Sequence, residues 1–185
     1  MKRVLVVYAT GSGCTADIAG EVARTLQAPR VAVDLWPAPA DPDPAPYDAV
    51  VAGSGVRRGR WHQSLETWVE ECAGVLRQRP IAFFSVCLTM ATHPERAAEV
   101  RAYTQALVAR TGVAPLGVGT FAGWNEPKRF GLLERGHLKR LEAPVGDFRD
   151  LDAVHTWSRQ IAPKLGVAAP TWLTPPEPLM TPANV

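Results

Sequence analysis

Apolar and polar positions change period several times along this chain, and each change marks an element. Val4-Leu5-Val6-Val7-Tyr8 is a near-continuous apolar run, the pattern of a strand buried on both faces of a parallel sheet. After a glycine-rich turn, Ile18, Val22 and Leu26 recur at fourfold spacing and predict one stripe of an amphipathic helix. Val31, Val33 and Leu35 alternate as a second strand, and the proline-rich stretch from Pro37 to Pro46 can continue neither a helix nor a central strand, so it is expected at the surface. Asp48 to Gly53 repeats the buried-strand pattern, followed by the helical stripe Leu65, Trp68, Val69 and Cys72. Residues 81–86 are a fourth apolar run, Val100, Tyr103, Leu107 and Val108 a further stripe, and Leu116 to Phe121 a fifth strand.

Strands alternating with helices in this way argue for an α/β fold with a doubly wound, five-stranded parallel sheet. Such sheets bind ligands beyond the carboxyl ends of their strands, where the strand order reverses. From about residue 123 to 148 the sequence turns mixed and basic, which marks an insertion or lid near the last strand. Leu151, Val154, Trp157 and Ile161 then form a last helical stripe behind Asp150 as N-cap. One domain is expected over residues 1–166. Residues 167–185 are rich in Pro and Thr without a period and read as a tail.

Composition adds exclusions. With 185 residues, 46% apolar and 21% charged, the chain suits a single globular core. Its net charge is +2 with the basic residues spread out, so no nucleic-acid partner is expected. No apolar run approaches the roughly 20 residues of a spanning helix. The apolar run after Met1-Lys2-Arg3 ends at once in Tyr8-Ala9-Thr10-Gly11, a strand rather than a secretory signal. Cys14, Cys72 and Cys87 show neither a paired framework nor zinc-ligand spacing, so no metal is expected and a reducing cytoplasm fits.

The stretch that carries chemistry is Thr10-Gly11-Ser12-Gly13-Cys14-Thr15, set between the first strand and the first helix. Hydroxyls and unencumbered amides at a helix N-terminus cradle a phosphate, helped by the helix dipole. The stretch lacks the Gly-Lys-Ser/Thr of a Walker loop, and it lacks the third glycine of a dinucleotide fingerprint. A monophosphate fits best. On an isolated turn the same residues also serve simply to cap a helix.

Placed after a first strand, Thr10-x-Ser12-Gly13-x-Thr15 resembles the phosphate loop of the flavodoxin superfamily, with Cys14 where many flavodoxins carry Asn. Gly53-Ser54-Gly55-Val56-Arg57-Arg58-Gly59-Arg60-Trp61-His62 resembles one branch, the menaquinone-dependent protoporphyrinogen dehydrogenases. The resemblance continues through Phe84-Ser85-Val86-Cys87-Leu88 and Asp147-Phe148-Arg149-Asp150-Leu151 and covers about residues 1–166. It implies a sheet in the order 2-1-3-4-5 holding FMN non-covalently. Thr10, Gly11, Ser12, Gly13, Cys14 and Thr15 would hold the phosphate. Ser54, Gly55, Val56, Arg57 and Trp61, with Ser85, Val86, Cys87 and Leu88, would flank the isoalloxazine.

Trp61 is the candidate stacking face, because a flavin needs an aromatic or apolar surface against its ring. Arg57 and His62 are the catalytic candidates, to steady negative charge on a reduced flavin or move protons; both side chains also fit solvated or structural roles. Cys14 reads as a small polar filler. Lys128, Arg129, Arg135, Lys139 and Arg140, mixed with Phe130, Leu132, Leu133, Leu138 and Leu141, suit either a short amphipathic basic helix at a membrane surface or a solvated lid, with Gly131, Glu134 and Gly136 weakening the helix.

The leading expectation is an FMN-dependent oxidoreductase, cytoplasmic or peripheral at the inner face of the membrane, moving reducing equivalents from a tetrapyrrole to a quinone or another acceptor. The alternatives are a flavodoxin-type electron carrier serving partner proteins and a cofactor-less flavodoxin-like binding module. A carrier is steered to basic partners by acidic residues around the flavin, whereas Arg57, Arg58 and Arg60 make this loop basic. Homo-oligomerisation stays open.

Overall fold

A computed structural model describes residues 1–129, 131, 135–136, 139–140 and 144–167. In chain order the strands are β1 (Lys2–Ala9), β2 (Val31–Pro37), β3 (Ala49–Arg57), β4 (Arg60–Trp61), β5 (Ile81–Val86), β6 (Val118–Phe121), β7 (Trp124–Asn125) and β8 (Gly146–Asp147). The helices are α1 (Cys14–Leu26), α2 (Gln63–Glu71), α3 (Ala73–Leu76), α4 (Thr89–Thr92), α5 (Ala97–Thr111) and α6 (Leu151–Ile161). Five strands run parallel in the order β2-β1-β3-β5-β6, which is 2-1-3-4-5 counted over the expected strands. The order reverses at β1, where β2 lies on one side and β3 on the other.

The continuous apolar runs have a direct cause. Val4 and Val6 of β1 point to one face and pack with Ile18 and Val22 of α1 and Val154 and Ile161 of α6. Leu5 and Val7 point to the other and pack with Leu65, Trp68 and Val69 of α2 and Leu107 of α5. Helices on both faces leave no solvated side for polar residues. Asp150 caps α6 as expected, its Oδ1 accepting from the Ala153 amide at 2.9 Å. Val167 is also buried in this core. Among the described residues no helix is long and apolar enough to cross a membrane.

Three features differ from the expected pattern. β3 runs past Gly53 to Arg57 and folds back as β4, pairing Val56 with Trp61 and Arg57 with Arg60. Arg58 (φ 51) and Gly59 (φ 72) are both left-handed, the conformation a two-residue hairpin needs to match strand twist. On α5 the buried face is Val100, Thr104, Leu107 and Thr111, with Tyr103 and Val108 at its edge. Thr111 can be buried because its hydroxyl donates to the Leu107 carbonyl at 2.8 Å. The insertion is closed at its base by β7 and β8, with Trp124 opposite Asp147 and Asn125 opposite Gly146. The expected amphipathic segment falls partly on Phe130, Leu132, Leu133, Glu134, Leu138 and Leu141, which lie outside the described residues, as does the tail from residue 168.

Candidate functional site

The loop after β1 sits at the strand-order reversal, and its geometry begins with Gly13. This residue is the N-cap of α1 at φ 93, and no side chain caps the amides of the first turn. A residue with a Cβ is disfavoured there. Thr10 braces the turn, its Oγ1 accepting from the Gly13 amide at 3.0 Å. Thr10, Ser12 and Gly13 are partly open, while Cys14 and Thr15 are buried. Uncapped amides, a glycine free to turn left-handed and nearby hydroxyls suit a phosphate.

The loop after β3 packs directly on this cradle. A Cβ added at Gly55 would stand 3.0 Å from Thr15 Oγ1, and one added at Gly11 would overlap the Arg57 guanidinium. The structure therefore brings Gly55 and Arg57 to the phosphate loop. Arg57, expected beside the flavin ring, has its guanidinium over Gly11. Val56 and Leu88 are the partly exposed apolar positions at this edge, and Val86 and Cys87 behind them are buried. A cleft of about 380 Å³ opens nearby, lined by Met90, Thr120, Phe121, Phe148 and Asp150.

Trp61 corrects an expectation. It is 4% exposed, stands edge-on to Phe83 with ring centroids 5.4 Å apart, and donates from Nε1 to Ser85 Oγ at 3.0 Å. Its indole ties the β3–β4 hairpin to β5 and offers no open face for stacking. The Ser85 hydroxyl is the acceptor of that bond. Ser54 is fully buried, with its hydroxyl accepting from the His62 amide at 2.8 Å and donating to the Gly55 carbonyl. His62 is the N-cap of α2, its Nδ1 accepting from the Ser64 amide at 3.3 Å and lying 2.9 Å from Ser64 Oγ. These side chains build the loop.

Cys14 is buried. Burial pushes its thiol from the usual 9.0 to about 11, against the opposing hydrogen bond from the Trp124 backbone. Any contact of residue 14 with a phosphate would come through its amide. We expect Cys14 to resist iodoacetamide at pH 8 in the folded protein, read by mass spectrometry; labelling at the rate of a free thiol would contradict the buried placement. Because the folded-state value is raised, stability linked to this thiol is complete below pH 9.0 and is lost as pH rises towards about 11.

Sequence reasoning did not single out Trp124, which packs on Gly13. Trp124 is 5% exposed and is flanked by Arg129 and Arg149, whose guanidinium carbons lie 4.3 and 4.5 Å from its ring centroid. Arg149 pairs with Asp147 at 2.6 Å and with Asp17 of α1 at 2.9 Å, and its hydrogen bond holds the Asp147 carboxyl below the usual carboxylate range. Arg129 pairs with Glu126 at 2.6 Å. The Asp147-Phe148-Arg149 stretch was visible as part of a family-like motif, but nothing local pointed it at the phosphate loop.

Strand order, reversal point and cradle define a flavodoxin-type α/β domain. A flavodoxin domain family model matches residues 5–152, and the chain belongs to that family. Among curated proteins it is similar to protoporphyrinogen IX dehydrogenase (quinone) of Escherichia coli (strain K12), with 25% identity over 164 residues, 86% of this chain and 91% of that one. A protein of the same name from Leishmania major is 28% identical over 136 residues, 72% of this chain and 59% of its own length. Oxidised Flavodoxin 2 from Bacillus cereus shares the fold at a TM-score of 0.56 and 19% identity, covering 88% of this chain and 99% of that one.

Proposed function

We propose that the chain binds FMN non-covalently and acts as an oxidoreductase on a reduced tetrapyrrole, with a quinone as acceptor. The observation that carries the cofactor is the uncapped N-terminus of α1 behind left-handed Gly13, which suits a single terminal phosphate. Thr10, Gly11, Ser12, Gly13 and Thr15, with the Cys14 amide, would hold that phosphate. Gly55 and Arg57 would stand at the phosphate end, and Val56 on one side with Val86, Cys87 and Leu88 on the other would border the ring. When bound, FMN supplies a reversible electron acceptor. The substrate class is supported by similarity to the named dehydrogenases over most of the chain.

The basic, exposed run Arg57 to Arg60 favours an enzyme over a carrier steered by acidic residues. Two measurements test the proposal together. Purified protein should show a flavin absorption spectrum, or acquire one with FMN in preference to FAD, and should then oxidise a porphyrinogen with a quinone present. No FMN affinity would overturn the cofactor. FMN binding with no porphyrinogen oxidation, but rapid electron passage from a reductase to an acceptor protein, would replace the enzyme by a carrier.

A further inference from the structure

We infer that Trp124 is a phosphate-binding residue whose indole N–H donates to the anion held at Gly13, and that Arg129 and Arg149 are positioning residues that fix the indole for this contact. The inference rests on the FMN reading above and adds a donor from β7 to the cradle.

The indole nitrogen is buried and has no hydrogen-bond acceptor among the described residues. Such a donor is costly and uncommon in native proteins, so its missing partner needs an explanation. The ring's placement supplies one. Two of its atoms lie near where a Gly13 side chain would begin, Cζ2 at 3.4 Å and Cη2 at 4.0 Å, and Cζ2 is the benzo carbon on the nitrogen side of the indole. The benzo rim therefore packs on the loop where α1 presents its uncapped amides, with the N–H two bonds from the contacting Cζ2. Those amides and the helix dipole select an anion, and an indole N–H can only donate.

The arginines have a different task. Arg129 is neutralised by Glu126, and Arg149 by Asp147 and Asp17. Each guanidinium lies against the ring, so together they restrict the indole plane while their charges are answered by carboxylates. Arg149 also neutralises Asp17 and Asp147, two acidic groups that would otherwise repel an anion.

Trp124→Phe keeps the ring and removes only the N–H. Titrations of wild type and this variant with FMN and with riboflavin, which lacks the phosphate, separate the contact from general damage. The FMN dissociation constant should rise about 10- to 100-fold, the range for a hydrogen bond to a charged group, with riboflavin unchanged. Arg149→Ala should move the same ratio in the same direction. An unchanged ratio would overturn the inference and assign the buried N–H to a water. As an independent readout, ¹⁵N spectra of wild type show an indole signal for each of six tryptophans. The one missing in Trp124→Phe should shift most with inorganic phosphate, and an unmoved signal would count against the contact. Wild type binding neither flavin would instead overturn the FMN reading itself.

Discussion

Gly53→Ala should destabilise the protein severely. Gly53 lies in β3 opposite Tyr8 of β1 and Phe84 of β5, and a Cβ there would overlap the Phe84 ring. That ring is fully buried and packed at 6.0 Å between centroids against both Phe121 and Trp157, so it has no free space to enter. Overpacking a core costs typically 1–3 kcal/mol, and a ring overlap inside a central strand belongs at or beyond about 3 kcal/mol. This is a large share of the 5–15 kcal/mol that holds a typical domain together. At about 2–4 °C per kcal/mol for a chain this size, the melting temperature should fall by roughly 6–12 °C. Adding Phe84→Leu to Gly53→Ala should recover part of the loss, although Phe84→Leu alone destabilises; coupling of that sign identifies the ring as the cause. A Gly53→Ala melting curve within a degree or two of wild type would refute the packing described.

Gly13→Val should abolish tight FMN binding while leaving a folded protein. The backbone at φ 93 is strained for any side chain and worst for a β-branched one, at about 1–3 kcal/mol. Its Cβ would already stand 3.4 Å from Trp124 Cζ2, so the added methyls would press on the indole. Relief requires the turn to open, which moves the first amides of α1 away from the phosphate. Losing two or more charge-assisted hydrogen bonds at about 1.5–3 kcal/mol each should raise the FMN dissociation constant more than about a hundredfold. Gly13→Asn should lose less, because asparagine tolerates the left-handed region. Flavin fluorescence titration ranks the three proteins. Affinity within a few-fold of wild type in Gly13→Val would show that the phosphate is held elsewhere.

The strand and helix order was legible because each signal is local. A strand covered by helices on both faces must be apolar throughout, so Val4 to Val7 and Ile81 to Val86 identify themselves. The proposed phosphate cradle is also local, six successive residues whose glycine and hydroxyl spacing suggests the loop before any packing is known. Threonines at buried helix positions were not legible, since Thr104 and Thr111 look polar until the fold supplies their surroundings.

Which way the loop side chains face depends on distant segments coming together. Trp61 in a polar loop reads the same whether it stacks on a flavin or on Phe83; the left-handed Arg58-Gly59 turn folds it back onto β5 and into the core. Ser54 and Ser85 look like ligand donors in sequence, yet their hydroxyls answer His62 and Trp61. Trp124, Arg149 and Gly13 are far apart in the chain and meet because β6 lies beyond β5 and the β7–β8 pair draws Asp147 and Arg149 back towards α1. Period and turn chemistry are properties of neighbouring residues, and the sequence determines them alone. The burial of a loop aromatic depends on the strand it folds against, and that surface exists only once distant segments have assembled.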